Sequence, residues 1–179
     1  MTKVNWHVLF VHTGQEEKVI QILRKRWDTE MYTPFVFTAE KAFKKAGRFE
    51  NERQICFPGY VFAESRGSVA EFTKAAKESI WEVKEICRVV DYGSKGDIVM
   101  HREEVTALKQ LCDTNKCIKM STGVIEGGRV QVQSGALSGK EGCIRKIDRH
   151  RREALIEIGF MGGPKQMKVG LEIVSKSSG

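Results

Sequence analysis

No stretch of this 179-residue chain approaches the roughly 18 consecutive apolar residues of a membrane-spanning helix, so no membrane partner is expected. Met1 leads straight into strand-forming residues, with no charged-then-apolar leader ending in small residues. Cysteine is sparse and badly spaced for structural use. Cys56, Cys87, Cys112, Cys117 and Cys143 are odd in number, only Cys112 and Cys117 lie close, and no histidine stands at ligand spacing beside them. That pattern disfavours a disulfide framework and a zinc site, and fits reduced thiols in a cytoplasmic compartment. Catalytic signatures are missing as well. His7, His12, His101 and His150 are dispersed, no Ser or Cys occupies a recognisable nucleophile elbow, and no phosphate-cradling glycine loop precedes a helix. Neither an enzyme nor a cofactor or metal site is expected.

What the chain has is the composition of a folded protein, 41% hydrophobic and 30% charged. Its net charge of +7 makes a polyanionic partner plausible, and the placement of that charge matters more than its sum. Residues 124–179 carry ten Lys/Arg against six Asp/Glu, and the longer stretch 1–123 carries twenty against seventeen. The C-terminal part is therefore more basic per residue.

The chain turns about Phe57-Pro58-Gly59-Tyr60-Val61-Phe62, read as a Pro-Gly bend leading into an aromatic strand. Alternation puts Tyr60 and Phe62 on one side of that strand, with Phe57 at the bend, so one face gathers three aromatic groups. Aromatics in strands are usually core, and their use here depends on how far that face stays exposed. Before it come a buried strand from Asn5 to His12 and a helix to about Trp27, opened by a Thr13-x-x-Glu16 capping box. A strand from Tyr32 to Phe37 and a charged hairpin from Lys41 to Arg53, with Gly47 near its tip, follow. After the bend, Ser68 and Glu71 repeat the capping box ahead of a second short helix. A strand spans Ile86 to Val90, and a third helix runs from about Arg102 to Cys112. The expected class is α+β, with helices packed on a mostly antiparallel sheet over residues 1–112. Residues 113–123 lack any period and read as a linker.

Residues 124–179 carry glycine-punctuated, period-two segments and no helical pattern. Four or five short strands in so few residues suit a small closed β-barrel. Its positive charge concentrates at Arg145, Lys146, Arg149, His150, Arg151 and Arg152 around one turn, with Lys140 in the preceding loop and Lys165 and Lys168 later. Arginines on an exposed turn can each grip a phosphate with two hydrogen bonds, which points to nucleic acid; the plainer alternative is a solubilising turn.

A strand with Trp6, a helix after Gly14, the Phe57-Pro58-Gly59-Tyr60-Val61-Phe62 motif and a linker resemble the N-terminal (NGN) domain of the NusG family of transcription elongation factors. Gly128-Arg129-Val130-Gln131-Val132, Ser134 to Gly142 and Ile147-Asp148 resemble its KOW domain. The resemblance implies an NGN sandwich joined to a KOW barrel. It implies a monomer whose NGN domain lays an apolar depression on the clamp helices of the large subunit of RNA polymerase and suppresses pausing. By motif, Phe10, Phe57, Tyr60 and Phe62 would form that depression. His12 and Thr13 would face the displaced non-template DNA strand, and Glu71, Thr73 and Lys74 would meet the opposite lobe of the polymerase. Housekeeping members carry Ile-Phe-Gly after the fourth barrel strand and aromatics in the first loop; here those positions read Phe160-Met161-Gly162, with Leu137 and Lys140 in the loop. In this the sequence is most similar to the LoaP group of specialised antiterminators, which implies a KOW domain that binds an RNA hairpin through Lys140, Arg145, Lys146, Arg149, His150, Arg151, Arg152, Lys165 and Lys168. Two other readings stay open: a housekeeping NusG that couples polymerase to a ribosome or to Rho, and a ribosome-associated KOW RNA-binding protein. One relative stores its C-terminal domain as a helical hairpin; the glycines from Gly128 to Val174 argue against that here.

Overall fold

A computed structural model describes residues 3–178. In chain order its elements are β1 (Asn5–Val11), α1 (Glu16–Arg26), β2 (Tyr32–Phe35), β3 (Thr38–Lys45), β4 (Arg48–Ile55) and β5 (Tyr60–Ser65). Then come α2 (Val69–Glu82), β6 (Ile86–Val89), α3 (Arg102–Leu111), β7 (Cys117–Ile118) and β8 (Ser121–Glu126). The chain finishes with β9 (Arg129–Ser134), β10 (Ile144–Asp148), β11 (Glu153–Phe160) and β12 (Gly163–Ser177). Two compact units result, one of residues 1–36 and 57–105, the other of 37–56 and 106–179. The boundary passes through α3, and the β3–β4 hairpin belongs to the second unit.

The first unit is built on an antiparallel sheet ordered β2-β5-β1-β6. Strand alternation gives the sheet two apolar faces. Leu9, Val11, Val61 and Ala63 pack on Val19, Ile20, Leu23 and Trp27 of the α1 segment and on Phe72 and Ala76 of α2. The Trp27 indole N–H donates to Ser79 Oγ at 2.9 Å, which ties the end of α1 to α2 and satisfies a buried donor. The other face holds an aromatic row. Trp6 meets Phe35 at 5.1 Å between ring centroids, Phe35 meets Phe62 at 5.6 Å, and Phe62 meets Phe57 at 5.4 Å. The helices begin as their residues dictate, with one exception. Ser68 and Glu71 form the expected reciprocal capping box on α2, which runs on to Glu82 and is longer than its apolar spacing suggested. The Thr13-Glu16 box does not form: α1 starts at Glu16, its N-cap is Gln15, and among the described residues no side chain caps it.

In the second unit β3 and β4 pair from Thr38↔Ile55 to Lys45↔Arg48 around a two-residue turn, with Ala46 and Gly47 both at positive φ. Residues 113–123 are not free of structure. Cys117 pairs beside Thr38 to form β7, and β8 begins at Ser121. The signal was invisible locally because a two-residue strand exists only through its partner.

The C-terminal strands form a five-stranded sheet ordered β10-β11-β12-β8-β9, around a core of Leu137, Ala154, Ile156, Met167, Val169 and Leu171. The 15-residue β12 serves two neighbours, antiparallel β11 through Gly170 and parallel β8 from Leu171 onward. The closed KOW barrel expected from the sequence is not shown: no ladder joins β9 to β10 among the described residues, and the segment between them is a loop and a 3-10 turn. At Gly170 this sheet comes close to β3; a Cβ there would strike the Glu40 carbonyl and the Met120 sulfur. Among the described residues no helix is long and apolar enough to cross a membrane.

Candidate polymerase-facing and nucleic-acid interfaces

At one end of the first sheet, Phe10 of β1 sits opposite Tyr60 of β5, their rings edge to face at 5.5 Å. On the other side of β1, Arg88 of β6 pairs with Phe10 and holds its guanidinium 5.5 Å from the Phe10 ring. Phe10 and Tyr60 are half-buried, Arg88 is exposed, and His12 and Thr13 are exposed in the turn that follows β1. The four aromatic residues expected to line a depression therefore divide into two pairs. Phe57 and Phe62, 1% and 0% exposed, are core, and correct the expectation that all four present one open face.

The turn holding this end together is cross-linked by one carboxylate. Glu16, 3% exposed, accepts from the Gly14 N–H with both oxygens (3.1 and 3.0 Å) and from the Gly59 N–H with Oε1 at 2.7 Å. The residue read as a helix cap thus joins the start of α1 to the Pro-Gly bend. Gly59 has φ +86°, and a Cβ on it would lie 3.2 Å from Thr13 Oγ1 and 3.5 Å from the Phe10 ring. Glycine is what lets the bend approach β1. Sequence reasoning read Glu16 only as a cap and did not single out Arg88, since Gly59 and Phe10, the partners that matter, are distant in the chain.

On α2, two of the three residues expected to meet a polymerase lobe have local tasks. Glu71 is the capping carboxylate, accepting from the Ser68 N–H at 2.7 Å, and those bonds from Ser68 hold it below the usual carboxylate range. The Thr73 hydroxyl donates to the Val69 carbonyl at 2.7 Å, whereas Lys74 is exposed beside it.

The basic cluster gathers on the turn joining β10 to β11. Asp148 pairs with Glu153 across the hairpin, and its carboxylate accepts the Arg151 N–H at 3.0 Å, a bond that lowers the Asp148 pKa. Arg152 closes the turn at φ +54°. Three of the arginines are already engaged. Arg145 bonds to Glu157 (3.2 and 3.3 Å) and to the Gly142 carbonyl (2.7 Å). Arg152 lies 3.8 Å over the Phe49 ring and 3.5 Å from Glu172. Arg151 is only loosely held, 3.9 Å from Asp148. Arg149, His150 and Lys146 are exposed, and Lys168 is exposed with its ammonium 3.7 Å from Glu153. Lys140 and Lys165 are half-buried.

Leu137, expected at the position of a docking aromatic, is instead 0% exposed, and its N–H donates to Ser121 Oγ at 2.9 Å. Burial pushes the Cys56 thiol up to about 12, which removes it as a ready thiolate.

With these surfaces described, the class of protein is defined by comparison. The family model for "Transcription termination factor nusG" matches residues 4–109, more than half the chain, and the chain belongs to the NusG family. Over 96% of its length it is 24% identical to the transcription termination/antitermination protein NusG of Staphylococcus epidermidis and 23% identical to those of Staphylococcus carnosus and Staphylococcus aureus, covering 94% of each. It also resembles a solved structure described as showing domain interaction in Thermotoga maritima NusG, with a TM-score of 0.50 and 21% identity over 96% of this chain and 94% of that one. The protein is thus a NusG-type transcription termination/antitermination factor, and the members of its family are transcription factors rather than enzymes.

Proposed function

We propose that this chain is a specialised processive antiterminator. It binds the clamp helices of RNA polymerase through the Phe10–Tyr60 end of its first sheet and a leader RNA hairpin through the basic β10–β11 turn. His12 and Thr13, exposed beside Tyr60, face the non-template strand, and Lys74 meets the opposite polymerase lobe. The observation that carries the RNA half is a contrast within the second unit. The loop residue that would replace a docking aromatic, Leu137, is spent on the core, while Lys146 on β10 and Arg149, His150 and Arg151 on the turn after it stand exposed. A-form RNA is recognised mostly by its shape and its phosphates, which such a turn suits.

The test is a titration of the full chain with structured leader hairpins and with single-stranded RNA across a salt series. Hairpin-selective binding that weakens about tenfold or more in the Arg149→Ala, Arg151→Ala double variant is expected. Weak, unselective binding to every RNA would return the second unit to protein docking and favour the housekeeping reading, coupling to a ribosome or to Rho. Retained RNA binding by a chain that ignores polymerase would favour the ribosome-associated reading.

A further inference from the structure

The β3–β4 hairpin and the β10–β11 turn, both in the second unit, enclose an open cavity of about 310 Å³. It is lined by Phe43 and Phe49, Lys41 and Lys44, and His150 and Arg151, and strand register puts the Phe49 and Lys44 side chains together on one face of the hairpin. Gln54 and Glu153 add a side-chain amide and a carboxylate. We infer that this cavity captures one unpaired nucleotide of a bound RNA, the base against Phe49 and its flanking phosphates against Lys44 and Arg151. The inference rests on the RNA reading above and extends the RNA surface onto a hairpin that no motif marks as nucleic-acid binding.

Size comes first. The cavity is at the lower end of the roughly 300–1,000 Å³ of small-molecule sites, room for a nucleotide and not for a duplex. Chemistry comes second. Side chains able to carry positive charge outnumber the single acid, Glu153, whose carboxylate already has the Lys168 ammonium 3.7 Å away. Apolar walls flanked by cations suit a base with its phosphates and suit an acidic protein segment less, because such a segment has no planar ring to stack. Preorganisation comes third. Arg152 stacks on Phe49 at 3.8 Å while lying 3.5 Å from Glu172, so the ring is fixed before any ligand arrives. Lys44 stands directly across the β3–β4 ladder from Phe49, which puts a cation beside that ring by register alone. Gln54 and Glu153 supply the donors and acceptor needed to read a base edge.

The experiment uses the full chain and two short blunt RNA duplexes identical except for one unpaired adenosine. The wild type is expected to bind the bulged duplex about tenfold tighter, within what stacking one base on an aromatic ring provides. Phe49→Ala should erase that difference while keeping its affinity for the fully paired duplex. Phe49→Leu, which keeps an apolar wall but removes the ring, should do the same, with melting temperatures recorded for both variants. Equal binding of the two duplexes by the wild type, or a preference that survives both substitutions, overturns the cavity proposal. In that case Arg149-dependent binding of both duplexes leaves the RNA reading standing. Binding of neither duplex overturns the RNA reading and the cavity with it.

Discussion

Glu16 shows how one side chain can hold a surface in place. Its carboxylate takes hydrogen bonds from two backbone N–H groups in a buried setting, one 43 residues away. Removing it strands the buried Gly59 N–H, so Glu16→Ala should cost about 1–3 kcal/mol, read as a lower urea midpoint at unchanged slope. His7 is the second residue whose task is hidden in sequence. It is fully buried, its ring stacks on Phe72 at 3.8 Å, and its Nδ1 bonds to the Ile98 carbonyl at 2.9 Å. Among the described residues its Nε2 has no hydrogen-bond partner, and burial lowers its pKa from 6.5, outweighing the Ile98 bond and Asp97. Below pH 6.5 the unfolded chain therefore takes up a proton that the folded chain refuses, and stability falls as pH drops. Urea titrations from pH 7 downward should follow that slope, and His7→Phe should flatten it whatever its effect at pH 7. A slope unchanged by the substitution would assign the pH dependence to the carboxylates. Neither role was legible in the sequence, where Glu16 matched a capping box and His7 was one dispersed histidine. Partners far along the chain leave no local pattern.

Elements were more readable, because period and capping chemistry act over a few residues. The α2 capping box and the charged hairpin with Gly47 at its tip stand where their residues put them, while the short strands expected after Gln166 are one 15-residue strand, β12. What failed was what depends on non-local pairing. Residues 113–123 acquire β7 because β3 offers an edge to Cys117 and Ile118, and the closure expected of the C-terminal strands is not seen in their ladders. The α2 box also separates structure from function on that helix. Ser68→Ala should cost about 1 kcal/mol in a denaturant melt, as caps do, and should also loosen Glu71. If Lys74 alone meets the polymerase lobe, Lys74→Ala will weaken that contact with no change in the melt.

At the scale of the molecule, burial decides which variants can test polymerase binding. Phe57 belongs to the motif that the resemblance marks most strongly, and replacing it looks like the natural experiment. It is 1% exposed against Phe62, so Phe57→Ala should cost about 3–5 kcal/mol through lost burial and a cavity, and a loss of binding would then report unfolding. Phe10 and Tyr60 are half-buried at the sheet end, where their exposed portions can meet a partner helix. Tyr60→Ala and Phe10→Ala should each weaken association with RNA polymerase by about tenfold or more, the range of an aromatic anchor, and should cost less stability than Phe57→Ala. An exposed aromatic on the helix that packs against the opposite face of the sheet supplies the control. Trp81 on α2 is 92% exposed, so Trp81→Ala should leave both the melt and polymerase binding unchanged. If Trp81→Ala abolishes binding while Tyr60→Ala does not, the polymerase surface lies on the helical face of the first unit, and the aromatic motif is structural throughout.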